Sequence, residues 1–202
     1  MKISDLSEIG EALSGDQLAV PERCSSEAHG DASEIITTGP RWYTVYTMPN
    51  HEKRVGEHFS HRNIEYFLPL YRVQRHWKNG LHVDLDLPLF PGYIFVRFAS
   101  QHDRIRILGV PGVLWMVCGT GKKPTPLPDT EMNRLRAELH LRHAEPHPLS
   151  LTGQRVRIRC GALSGMEGIL ERWKNGVRVI LTLELVRQSI AVEVNSHDLE
   201  LL

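Results

Sequence analysis

The chain has 202 residues, 41% hydrophobic and 24% charged, and its 24 Lys and Arg balance 24 Asp and Glu. That composition describes a soluble globular protein of one ordinary domain or two small ones, and no apolar run approaches the roughly 20 residues of a membrane span. The acidic start MKISDLSEIGEALSGD lacks the basic and apolar stretches of a signal peptide, and Cys24, Cys118 and Cys160 form no C-x-x-C pair, so a cytoplasmic protein without a disulfide framework or zinc ribbon is expected.

The neutral total conceals a segregation: two basic residues face eight acids over residues 1–40, fifteen face ten over 41–145, and seven face six over 146–202. The first segment has no sustained period and reads as a disordered acidic tail, with a transient helix near Asp5 to Leu13. If it folds back on the basic middle of the chain, its deletion should raise nucleic-acid affinity. Order begins at Arg41 to Thr47, which alternates as a strand. Pro49-Asn50 caps a helix that buries Val55 and Phe59 and ends near Asn63. Ile64 to Leu70 reads as a second strand, and Val73 to Trp77 with Leu81 to Leu87 as a hairpin across Asn79-Gly80. A short helix spans His102 to Leu108, a strand follows Val110-Pro-Gly-Val113, and Asp129 caps a helix carrying Met132, Leu135 and Leu139. This order implies an α+β domain over 41–142, an antiparallel sheet with helices packed on it.

Residues 143–150 have the composition of a linker. Beyond it, 151–202 reads as several short strands broken by turns, at Val156 to Cys160, Ile169 to Trp173, Val177 to Leu185 and Ile190 to Val194, the pattern of a small all-β barrel. The β-branched runs and the Lys174-Asn175-Gly176 turn favour that barrel over any helical alternative.

The stretch Pro88 to Phe98, PLFPGYIFVRF, carries apolar residues on both strand faces. Ile94, Val96 and Phe98 supply one, and Tyr93 and Phe95 the other. Pro91 to Phe98 matches the RNA-contacting strand of an RRM, K/R-G-F/Y-G/A-F-V-x-F/Y, except at Pro91 and Ile94. In such a module the aromatics stack on bases. The barrel sequence Gly153 to Ile169 resembles a KOW motif. Trp42-Tyr43, Leu89 to Tyr93, Val110 to Val113 and the KOW repeat follow in the order and spacing of the NusG family of transcription elongation factors, and the resemblance covers residues 41–202.

That resemblance implies an RRM-like N-terminal domain followed by an SH3-like KOW barrel. It implies a monomeric elongation and antitermination factor, not an enzyme, that needs no cofactor or metal, meets no membrane, and binds the clamp helices of RNA polymerase. Tyr46, Phe90, Pro91, Tyr93 and Phe95 would line the apolar polymerase-binding cavity; the alternative is that a helix covers them as plain core. Arg104 and Arg106 fall where relatives touch the second polymerase lobe or DNA. Lys53, Arg54 and Arg62 are candidates for recruitment by a DNA or RNA element. Leu185, Val186, Arg187 and Ile190 fall on the barrel edge that docks termination factor Rho or a ribosomal protein in relatives. The phrases Gly161 to Leu170 and Val186 to Val194 are similar to specialised antiterminators acting on selected operons. The competing function is an RRM-like RNA-binding module acting without polymerase. A histidine-dependent nuclease has only the eleven histidines in its favour, without Cys or paired carboxylates at ligand spacing.

Overall fold

The computed structural model describes residues 39–76, 82–119, 123–139, 144–148, 153–173 and 176–202. The expected acidic tail up to residue 38 and the two expected turns at 78–80 and 174–175 lie outside the described residues.

Strand β1 (Arg41–Thr47) and helix α1 (Glu52–His61) are followed by β2 (Glu65–Phe67), β3 (Leu70–His76), β4 (His82–Pro88) and β5 (Tyr93–Phe98). Helix α2 (Gln101–Leu108), β6 (Val113–Met116) and helix α3 (Asp129–Leu139) complete the first half. An antiparallel sheet in the order β2-β5-β1-β6 forms its centre, and β3 with β4 makes a separate two-stranded ribbon. The Pro-Gly pair ahead of β5 has a specific task. Gly92 takes φ +83 to turn the chain, where a Cβ would meet the Tyr46 ring at 3.0 Å, so only glycine fits without strain. Helix α2 starts where the Ser100 hydroxyl accepts from the Asp103 amide at 3.1 Å, a side-chain cap that satisfies one free donor. The same hydroxyl, through its bond to the Asp103 carboxylate, is the main reason that group titrates below its ordinary value.

Alternation along the strands sends their side chains to two separate cores. Tyr43 and Val45 of β1 and Ile94, Val96 and Phe98 of β5 pack against Val55 and Phe59 of α1 and Ile107 of α2. The opposite face of the sheet packs against Met132 and Leu135 of α3.

The second half contains β7 (Ala144–His147), β8 (Gln154–Ile158), β9 (Glu167–Trp173), β10 (Gly176–Leu183), β11 (Gln188–Val194), a 3₁₀ turn at Ser196–Asp198, and β12 (Leu199–Leu201). They form one antiparallel sheet in the order β12-β8-β9-β10-β11-β7, without a pairing between β12 and β7 to close it. The expected α+β half followed by an all-β half is present. The linker expectation is corrected at 144–147, which pair with Ser189 to Val192 of β11 as an edge strand. Pro146 is compatible with that position because an edge strand can lack a ladder donor. Cys160 is a free exposed thiol.

Candidate functional site

The aromatic face of the four-stranded sheet is built by register. Tyr46 lies opposite Tyr93, Thr44 opposite Phe95 and Trp42 opposite Arg97, so all six share one side, and Phe67 of β2 lies opposite Phe95. The Phe90 ring meets Phe95 edge-on at 5.7 Å and Phe67 stacks on Phe95 at 6.2 Å. Tyr46 meets Tyr93 at 5.2 Å and Trp115 at 4.6 Å. Such tilted and edge contacts are the favoured geometries of aromatic pairs.

This face is closed, which corrects the expectation of an open hollow lined by Tyr46, Phe90, Pro91, Tyr93 and Phe95. Phe90, Tyr93 and Phe95 are 1%, 2% and 0% exposed. Two bodies cover them. Helix α3 lies on one part, where the Arg136 guanidinium sits 5.4 Å from the Trp42 ring and 5.7 Å from the Phe67 ring. That guanidinium also reaches Glu65 at 3.6 Å, on the same carboxylate that pairs with Arg97. The C-terminal sheet takes the rest: Phe90, Tyr93 and Phe95 belong to one continuous buried cluster with Val156, Ile158, Leu163, Val179, Leu183, Val186 and Ile190. The physical reason is area, since each large apolar side chain removed from water contributes about 1.5–3 kcal/mol. A ring face with no outside partner present is covered from within. Burial, and then the neighbouring Tyr46, raise the Tyr93 phenol far above its ordinary value.

The contact between the halves has a polar seam. The Gln188 side-chain amide, at the start of β11, donates to the Pro91 carbonyl at 3.1 Å. Arg134 of α3 approaches the β8–β9 connection, within 3.6 Å of where a Cβ on Gly165 would stand. Glu131 of α3 faces Glu184 of the β10–β11 turn; its carboxyl is raised above the ordinary value by burial and further by that like charge. Only the rim of the aromatic face stays accessible, with Tyr46 and Trp115 half-buried and Pro91 exposed.

The expected partner edge of the second half lies at this same seam. Val186 and Ile190 are 1% and 0% exposed, Leu185 is half-buried, and Arg187 alone is exposed. An exposed aliphatic edge is therefore corrected: β11 is flanked by β10 and β7, and the turn before it packs on the first half.

The two basic groups expected at separate surfaces come together. Arg106 donates to the Arg62 carbonyl at 2.7 Å while Arg62 donates to the Arg106 carbonyl at 3.3 Å, bracing the ends of α1 and α2 against each other. Arg106 also pairs with Asp103 at 3.4 Å. Arg54 is exposed and Arg104 half-buried, and Lys53 borders a hollow of about 320 Å³ shared with Glu57, His61, Tyr66, Leu68 and Leu70. No group of His, Cys, Asp and Glu among the described residues could hold a metal ion, and no described helix is long and apolar enough to cross a membrane.

Sequence reasoning missed Glu52, which is 4% exposed and accepts the Gly92 amide at 2.7 Å, tying the start of α1 to the turn that feeds the aromatic strand. Its position in the first helical turn, where the dipole favours an anion, was the available signal. It also missed Gln188, Glu131 and Arg136, whose roles appear only once the halves are assembled.

A family model described as transcription termination factor NusG matches residues 40–136. The transcription termination/antitermination protein NusG of Lactococcus lactis is 27% identical over 179 residues, covering 83% of this chain and 96% of the relative. That of Escherichia coli K12 is 28% identical over 143 residues, covering 65% and 78%. A solved structure described as domain interaction in Thermotoga maritima NusG matches with a TM-score of 0.55 at 21% identity, covering 81% of this chain and 97% of that one. With a NusG domain matched over residues 40–136 and relatives aligned well beyond it, the chain resembles the NusG transcription termination/antitermination proteins over most of its length.

Proposed function

We propose that the chain is an elongation and antitermination factor whose aromatic face, through Tyr46, Phe90, Pro91, Tyr93 and Phe95, binds the clamp helices of RNA polymerase in an open form. In that form the C-terminal sheet, a KOW domain, recruits a further partner such as Rho or a ribosomal protein through Leu185, Val186, Arg187 and Ile190. The observation that carries this reading is the mutual occlusion of the two candidate docking surfaces. They lie in one buried cluster and meet at the Gln188–Pro91 bond. A surface built for an outside partner and covered by the chain's own second half binds that partner with an affinity reduced by the open fraction. The half-exposed pair Tyr46 and Trp115 offers the clamp helices a first foothold at the rim.

Three or four large aromatic side chains, at about 1.5–3 kcal/mol each, match the roughly 8 kcal/mol of a micromolar contact. Arg104 supplements that contact at the second lobe or on DNA, with Arg106 holding α1 and α2 in place beside it. Lys53 and Arg54 serve recruitment by a nucleic-acid element, with Arg62 in the same bracing role. The turn Gly161 to Gly168, which lacks the Gly-Pro-Phe of general factors, supports a specialised role on selected operons.

Retention of the full chain on immobilised core polymerase tests the reading. Binding should strengthen when Gln188→Glu loosens the seam, and Tyr46→Ala in that background should weaken it at least tenfold. Equal retention of both variants refutes the docking face. Single-stranded RNA bound without polymerase, and lost on Tyr46→Ala, would instead favour the RNA-binding module.

A further inference from the structure

The edge strand β7 comes from the connection between the halves and pairs through only four residues. Backbone pairing alone holds so short a strand weakly, and Pro146 removes one donor from it. Charged side chains on the outer face complete the attachment. Arg178, with a side chain 11% exposed, donates to Glu145 of β7 at 3.3 Å and to Glu193 of β11 at 3.2 Å. His147 of β7 meets Glu171 of β9 at 3.3 Å, and Glu171 lies opposite Arg178 in register. On the inner face Ala144 is 6% exposed, opposite Val192, and Pro146 lies opposite Ile190. Thus β11 presents an edge that reads a small apolar residue, an acid, an apolar residue and a histidine in succession, and Ala-Glu-Pro-His fills it.

We propose that β7 is a displaceable internal ligand, and that the β11 edge is a receptor for an extended peptide segment of a protein partner with the same alternation: acid against Arg178, a hydrogen-bonding side chain such as His against Glu171, small apolar side chains inward. Strand addition of this kind takes affinity from main-chain bonds and specificity from alternate side-chain sites. An unpaired edge is a hazard for a sheet, and β7 covers this one until a competing strand arrives. The inference deepens the partner-recruiting role proposed above, naming the edge and the partner's chemistry. It rests on that role only for the identity of the sheet as a recruiting surface.

The probe is a fluorescent synthetic peptide copying residues 142–150, titrated into the full chain without polymerase. The attached strand competes at a local concentration in the millimolar range, so the wild type binds the peptide poorly. Glu145→Lys, which sets a like charge beside Arg178, should release β7 and tighten peptide binding at least tenfold; His147→Ala should do so to a smaller extent. A peptide carrying Lys in place of its Glu should bind at least tenfold more weakly than the parent peptide. Amide exchange over 188–194 should rise at least tenfold in Glu145→Lys while β9 and β10 keep their protection. Unchanged exchange in both variants refutes the charged attachment. Raised exchange without tighter peptide binding refutes the receptor edge and leaves the apolar turn at Leu185 and Val186 as the recruiting surface.

Discussion

Replacing Gln188 tests the closed arrangement at a direct polar contact between the β11 start and the aromatic strand's entry turn. The amide donates to Pro91 at 3.1 Å, and opening exposes both groups to water. Gln188→Ala therefore destabilises the closed form alone, by the net worth of a neutral hydrogen bond, about 0.5–1.5 kcal/mol. At about 1.4 kcal/mol per factor of ten, the open-to-closed ratio rises roughly 2- to 12-fold. While the closed form dominates, the apparent Kd for core polymerase falls by the same factor. Gln188→Glu goes further, because a carboxylate then faces the Pro91 carbonyl with no proton between them. Fluorescence titration with core polymerase should rank affinity as Glu above Ala above Gln, with melting temperatures of the separate halves unchanged. An apparent Kd that stays constant across the three, or rises in the variants, refutes the reasoning.

Further outcomes follow from the same geometry. Burial and the facing Glu184 raise the Glu131 carboxyl above its ordinary value of 4.5, so the closed form holds this proton more tightly than the open one. Closure is favoured fully below that ordinary value and loses this contribution as pH rises through the raised one; polymerase titrations across the window should show tighter binding at higher pH, and Glu131→Gln should flatten that slope. Gly92→Ala places a Cβ 3.0 Å from the Tyr46 ring at φ +83, costing about 1–2 kcal/mol for the backbone region alone, read as a lower midpoint in thermal unfolding. Glu52→Ala leaves the buried Gly92 amide without its acceptor, a loss of about 1–3 kcal/mol that chemical denaturation should register in the first half.

Alternation revealed the two faces of β5 in the sequence: Ile94, Val96 and Phe98 went with Val55 and Phe59, and Tyr93 and Phe95 went to the other side. Such periodicity is a local property of a strand, and so are the helix stripes at Val55 and Phe59 and at Met132 and Leu135. What lay on top of the second face was not local. Nothing in PLFPGYIFVRF distinguishes rings awaiting a partner from rings covered by residues some seventy to a hundred positions later, such as Leu163, Val186 and Ile190. The linker failed for a related reason. His-Ala-Glu-Pro-His-Pro has the composition of a connector, and only the assembled β11 edge, with Arg178 waiting for Glu145, turns it into a strand. Glu52 and Gln188 were overlooked because a polar residue taken alone looks solvated, and their respective donor and acceptor lie 40 and 97 positions away.

The paired Arg62 and Arg106 have a consequence for any polyanion meeting this side of the molecule. Each cation is anchored to the carbonyl that ends its neighbour's helix, so neither swings freely as a surface lysine does. A phosphate arriving there encounters two fixed guanidinium groups, that of Arg106 already paired with Asp103, whose spacing is dictated by the distance between two helix ends. Recognition at such a pair would favour backbones of matching geometry, an A-form or B-form groove edge, over a flexible chain of equal charge.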